Sequence, residues 1–139
     1  MYQKILIALD ATEADETILK HVSALARRFD SSLLILHVAD GWAARWFGAD
    51  AVSREIDEDK AYLEKVRARL AAEGLKVEAK LAYGEPADEI VKSVATYGCD
   101  LVAMSTHGHR FISDLLYGAT ADTVRHRVEV PVLLLKARK

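Results

Sequence analysis

The chain has 139 residues and a mass of 15.4 kDa, the size of one domain that needs neither a metal nor disulfides to fold. Its 51% hydrophobic and 29% charged residues exclude disorder, collagen-like repeats and coiled coil. With 19 basic and 21 acidic residues, net −2, there is no electrostatic reason to expect a nucleic-acid or membrane partner.

Residues 2–9 form a short apolar run, expected to be a strand buried on both faces. Asp10-Ala-Thr12 ends it, and Asp10 or Thr12 is placed to cap the next helix. That helix is expected over residues 13–30, where Ile18, Leu19, Val22, Leu25, Ala26 and Phe29 recur at helical spacing. Residues 33–38 read as a second buried strand. Residues 39–52 lack periodicity and hold Trp42, Trp46 and Phe47, so they read as a long loop or short irregular helix. The two tryptophans there suit a lid over a cleft, a partner patch or plain packing. From Ser53, the residues Ile56, Leu63, Val66 and Leu70 mark a long helix with Gly74 at its C-terminal cap. Its charges, Glu55, Asp57, Glu58, Asp59, Lys60, Glu64, Lys65 and Arg67, are read as a solvated outer face.

Residues 77–82 alternate with Lys and Glu, as a half-exposed edge strand does. Gly84-Glu-Pro86 starts a third helix, with Ile90, Val91 and Val94 as its apolar face and Gly98 as its stop. Residues 101–104 are a fourth strand, 105–118 a loop with some helical character, 120–127 a last helix and 130–135 a fifth strand. Strands and helices that alternate in this way imply βαβ units and a mostly parallel sheet covered on both faces. Such an open sheet binds ligands at the carboxyl ends of its strands, where the strand order reverses. His37 is expected as a satisfied core histidine, His21 on a helix surface, and the single Cys99 as a buried thiol. No apolar run reaches the ~18 residues of a membrane-spanning helix. The start MYQKILIALD has no signal-peptide layout, so the expected location is cytoplasmic.

The G-x-G-x-x-G dinucleotide fingerprint, the phosphate loop, the G-x-S-x-G nucleophile elbow and helical metal-ligand spacings are all absent. The stretch with chemistry follows the fourth strand: Met104-Ser-Thr-His-Gly-His-Arg110, leading to Gly118-Ala-Thr120. Read as the start of the last helix, Gly118, Ala119 and Thr120 would offer free N–H groups to an anion, with His107, His109 and Arg110 as donors beside them. The alternative is a structural loop whose glycines serve turns only.

Several features coincide: Ile5-Leu-Ile-Ala-Leu-Asp10, the strand residues Leu36-His-Val38, the helix start Gly84-Glu-Pro86, Gly108 separated by nine residues from Gly118, and Pro131-Val-Leu133 near the end. Together they resemble the single-domain universal stress proteins, whose signature is G-x2-G-x9-G-S/T, over essentially the whole chain. Ser105 replaces the first signature Gly, and Ala119 replaces the Ser/Thr after the last.

The resemblance implies a Rossmann-like α/β fold. Its doubly wound five-stranded parallel sheet would have the order 3-2-1-4-5, with four flanking helices and a switch point between the first and fourth strands. In ATP-binding members, the positions matching Ala8 and Val38 offer backbone groups to adenine. The position matching Asp10 lies near the ribose and phosphates, hence near a nucleotide-bound Mg²⁺. Those matching Met104, Ser105, Gly108, Gly118, Ala119 and Thr120 wrap the ribose and phosphates. Ser105 keeps its N–H but adds bulk; Ala119 loses a hydroxyl contact worth about 1 kcal/mol, roughly tenfold in affinity.

The function so implied is an ATP-binding regulatory or protective module of the stress response. No catalytic residue is read, and any ATP hydrolysis would be slow and incidental. The alternative is an ATP-independent dimeric member that acts through protein–protein contacts. An adenylate-handling enzyme is disfavoured, because His107-Gly-His109 lacks the His-x-Gly-His arrangement. Since family members commonly dimerise through the last strand, a homodimer through Val130, Val132, Leu133, Leu134 and Leu135 is expected.

Overall fold

Strand and helix alternate through the described residues: β1 (Lys4–Leu9), α1 (Asp15–Phe29), β2 (Ser32–Ala39), α2 (Ala49–Ala72), β3 (Lys76–Tyr83), α3 (Pro86–Tyr97), β4 (Leu101–Thr106), α4 (Ile112–Arg127) and β5 (Val132–Lys136). The computed structural model describes the backbone of residues 1–39, 49–106 and 112–137, and the side chains of 1–39, 53–106 and 119–137. The Trp42 and Trp46 segment therefore lies outside the described residues, as do His107, Gly108, His109 and Arg110.

The strands form one sheet in the order β3-β2-β1-β4-β5, every neighbouring pair parallel. The expected order is met, with the reversal between β1 and β4. Side chains of β1 alternate between two cores, as the period of a strand requires. Ile5, Ile7 and Leu9 join Ile18, Val22, Leu63 and Val66 beneath α1 and α2. Leu6 and Ala8 join Ile90, Ala121 and Val124 beneath α3 and α4. Burial on both faces explains why β1, β2 and β4 read as continuous apolar runs.

The ends of α3 follow the sequence closely. The Glu85 side chain accepts from the Asp88 N–H at 2.8 Å, and Gly98 ends the helix in the left-handed region at φ 67°. Elsewhere the expected boundaries move. Asp10 does not cap α1; the Thr12 hydroxyl accepts from the Ala14 N–H at 3.3 Å in the turn that leads into it, while Ala14, the residue before the helix, makes no side-chain cap bond. Residues 49–52 belong to α2. Ser105 and Thr106 extend β4 and pair with Leu135 and Lys136, so Ser105 is a strand residue and not part of a turn. Val130 lies before β5, outside the strand.

The largest correction concerns α4. It begins at Ile112, so Gly118, Ala119 and Thr120 lie inside the helix and not in its first turn. The orphan amides of a helix are those of its first turn, so these three do not supply the expected free N–H groups. A glycine inside a helix costs only about 1 kcal/mol relative to Ala, which the surrounding turns outweigh here.

Candidate functional site

A cavity of about 460 Å³ opens at the carboxyl ends of β1 and β2. Its floor is Ala8, Leu9, Asp10 and Ala11 from β1 and the turn after it, and Leu36, His37, Val38 and Ala39 from β2. One wall is Glu55 and Asp59 of α2; the others are Glu85, Pro86 and Ile90 at the start of α3, and Ala119, Thr120 and Thr123 on α4.

Five of the expected site residues meet here: Ala8, Asp10, Val38, Ala119 and Thr120. Met104 and Ser105 are not among the described lining residues. Met104 is fully buried in β4, paired with Ala8, and the Ser105 hydroxyl is buried without a hydrogen-bond partner among the described residues. The described part of α4 approaches the cavity through its side, with Ala119 and Thr123 one turn apart.

The turn after β1 is held from below by a residue that the sequence reading does not single out. Asp15 is 1% exposed. Its Oδ1 accepts from the Asp10 N–H at 2.8 Å, and its Oδ2 from the Ala11 N–H at 2.9 Å and the Tyr62 hydroxyl at 2.7 Å. Ala11 sits at φ 62°, a left-handed conformation that costs a residue with a Cβ about 1 kcal/mol. The carboxylate offsets that cost and fixes the direction in which Asp10 faces the cavity. Burial pushes the Asp15 carboxyl above its ordinary value, against hydrogen bonds that pull it down.

His37 is satisfied, as expected, but it also lines the cavity: its Nδ1 lies 2.8 Å from the Leu9 carbonyl oxygen. Two charges of α2 do not lie on the solvated face assigned to them. Asp59 is buried and Glu55 partly so, and both face the cavity. The helical period contains the signal that was missed. Carried back one turn from Leu63 and Val66, the inward stripe reaches Asp59, and one turn further Glu55. Burial raises the Asp59 carboxyl, His37 nearby lowers it, and the charge of Glu58 adds to the rise.

The volume lies in the range of small-molecule sites. Ala8, Leu36, Val38, Pro86 and Ile90 give apolar surface on which a flat base can lie, and Asp10 is a carboxylate suited to ribose hydroxyls. The residues therefore fit a nucleoside. A polyphosphate fits them less well: the described lining carries Asp10, Glu55, Asp59 and Glu85 but no Lys or Arg. Among the described residues, no cluster of His, Cys, Asp and Glu is arranged to hold a metal ion. No helix searched among them is long and apolar enough to cross a membrane.

An open parallel sheet with a cleft of ligand size at its strand ends defines a protein of the doubly wound α/β class. The model of the universal stress protein family matches residues 1–136, and the chain belongs to that family. Universal stress protein MJ0577 of Methanocaldococcus jannaschii is 27% identical over 99% of this chain and 97% of its own length. The solved MJ0577 structure superposes with a TM-score of 0.83 at 30% identity, covering 100% of this chain and 99% of that one. Two further structures share the fold. A universal stress protein in complex with cAMP has a TM-score of 0.71 at 20% identity, covering 97% of each chain. The Archaeoglobus fulgidus protein in complex with dAMP has a TM-score of 0.72 at 22% identity, covering 97% of this chain and 98% of that one.

Proposed function

We propose that this universal stress protein is a cytoplasmic regulatory or protective module that binds an adenine nucleotide, ATP with Mg²⁺, in the cavity above β1 and β2. The observation that carries the reading is the meeting of Ala8, Asp10, Val38, Ala119 and Thr120 around one cavity, with apolar surface from Leu36, Pro86 and Ile90 beside them. Proteins of the same fold in complex with cAMP and dAMP support an adenine ligand. The base would lie against Val38 and Ala8, the ribose near Asp10, and the phosphates toward α4. Bound nucleotide would change the shape or partner choice of the protein. Turnover is no part of this reading, and any ATP hydrolysis would be slow and incidental. Calorimetric titration with Mg-ATP tests the reading; saturable one-site binding in the micromolar range is expected, and no heat up to millimolar ATP would refute it.

A second reading, an ATP-independent member acting through its surface, draws support from the carboxylate-rich lining and from Ser105 at a signature glycine position. Both readings include a homodimer through β5. The β3 edge is guarded by Lys76, Glu78 and Lys80, whereas β5 ends the sheet with Leu134 41% exposed. Leu134→Glu is expected to convert the dimer into a folded monomer, read by light scattering after gel filtration; a monomeric wild type would remove this part of the proposal.

A further inference from the structure

His37 and Asp59 form an unusual pair on opposite sides of the cavity corner. A carbonyl oxygen only accepts, so the 2.8 Å contact from His37 Nδ1 to the Leu9 oxygen places a proton on Nδ1. In the neutral ring Nε2 is then a bare lone pair. It faces Asp59 Oδ2 at 3.4 Å, and that oxygen is buried with no hydrogen-bond partner among the described residues. Two acceptors facing each other repel; one proton between them turns the contact into an attraction.

We propose that the His37–Asp59 pair takes up a single proton that locks α2 onto the end of β2 and thereby tightens the cleft for an anionic nucleotide; this rests on the nucleotide-binding reading above. The proton comes from solvent, and the charge of the pair goes from −1 to 0. The link joins the two sides of the proposed base site. His37 precedes Val38, its acceptor Leu9 precedes Asp10, and Asp59 belongs to the α2 wall. One turn further along α2, the bond from Tyr62 to Asp15 holds the helix at a second point, and burial and Asp15 push the Tyr62 hydroxyl far above its ordinary value. Tyr62 thus keeps its proton throughout.

The surroundings favour the charge-neutral state for an anionic ligand. From α2 itself, Glu55 lines the same cavity and Glu58 acts on Asp59; from the turn after β1 comes Asp10, from the start of α1 Asp15, and from Glu85, just before α3, a further carboxylate. On β3 the register partner of His37 is Leu81, which is uncharged, and α4 contributes Ala119, Thr120 and Thr123. Among the described lining residues His37 alone can become a cation.

The test is Mg-ATP affinity at pH 6 and pH 8 for the wild type, His37→Gln and Asp59→Asn. Comparing proteins with the same ligand cancels the ligand's own protonation. The wild type is expected to weaken by about fivefold more than His37→Gln between these two values. Asp59→Asn supplies an amide N–H to the bare Nε2 without any proton uptake, so at pH 8 it is expected to bind about fivefold tighter than the wild type. A merely structural role for Asp59 would make that variant weaker. Equal pH dependence in the wild type and His37→Gln, or weaker binding by Asp59→Asn at pH 8, would overturn the proposal. Nitrogen-15 spectra of the ligand-free His37 ring give a readout that needs no nucleotide. Nδ1 protonated at both values and Nε2 protonated at the lower one alone support the lock; a bare Nδ1 refutes it. Failure of every protein to bind ATP would overturn the functional reading, and the ring spectra would still decide the lock.

Discussion

Asp15→Ala is expected to lower the free energy of unfolding by about 3 kcal/mol at pH 7, read by urea denaturation. The substitution leaves the Asp10 and Ala11 amides and the Tyr62 hydroxyl without their shared acceptor beneath the cavity. Each of these partly buried donors then bears its desolvation cost alone. The left-handed Ala11 also loses what holds it. Tyr62→Phe removes one of the same bonds and is expected to cost about 1 kcal/mol. The sign of the pH dependence separates this carboxylate from an exposed one. Because the Asp15 carboxyl is raised above its ordinary 3.8, the folded protein holds that proton more tightly than the unfolded chain. Its contribution to stability is therefore greatest below about pH 4 and declines as pH rises through the folded value. The stability of the wild type relative to Asp15→Asn should fall along that path. A loss under 1 kcal/mol in Asp15→Ala would mean that the turn is held by other contacts.

Ala119→Trp is expected to reduce ATP affinity at least tenfold while leaving the fold intact. Ala119 is exposed and lies on the cavity wall formed by α4. A tryptophan there meets the cavity and no packed core, and its helix propensity costs only about 0.5 kcal/mol relative to alanine. The indole competes for the space of the ligand. This variant thus separates occupation of the cavity from stability, which a substitution at the fully buried floor residue Leu36 would not do. Calorimetry and urea unfolding on the same preparation read both quantities. Unchanged affinity in a folded Ala119→Trp protein would place the nucleotide elsewhere.

The sheet was legible because β1, β2 and β4 are buried on both faces and need unbroken apolar runs, whereas the β3 edge needs alternation. The order of the strands came only with the family resemblance, since βαβ units of this kind can be wound in more than one order. Ala8, Asp10 and Val38 were named through the family resemblance, and all three line the cavity at or just past the carboxyl ends of β1 and β2. The α2 wall was missed. Charge type led Glu55 and Asp59 to be read as solvated, although helical phase places them on the inward stripe. Asp15 was invisible for a different reason. Its role depends on Ala11 adopting a left-handed conformation and on Tyr62, which is 47 residues away, and neither is a local signal. The start of α4 was misread because a glycine was given the weight of a breaker when it stands inside a helix.

The cavity above β1 and β2 is the proposed nucleotide site. The most direct measurement is the map of backbone amide shifts as Mg-ATP is added to the nitrogen-15-labelled protein. Saturating shifts confined to residues 8–11, 38–39, 55–59 and 119–123 are the result predicted by the cavity lining. Shifts that leave these residues unmoved, or that gather along β5, would contradict it.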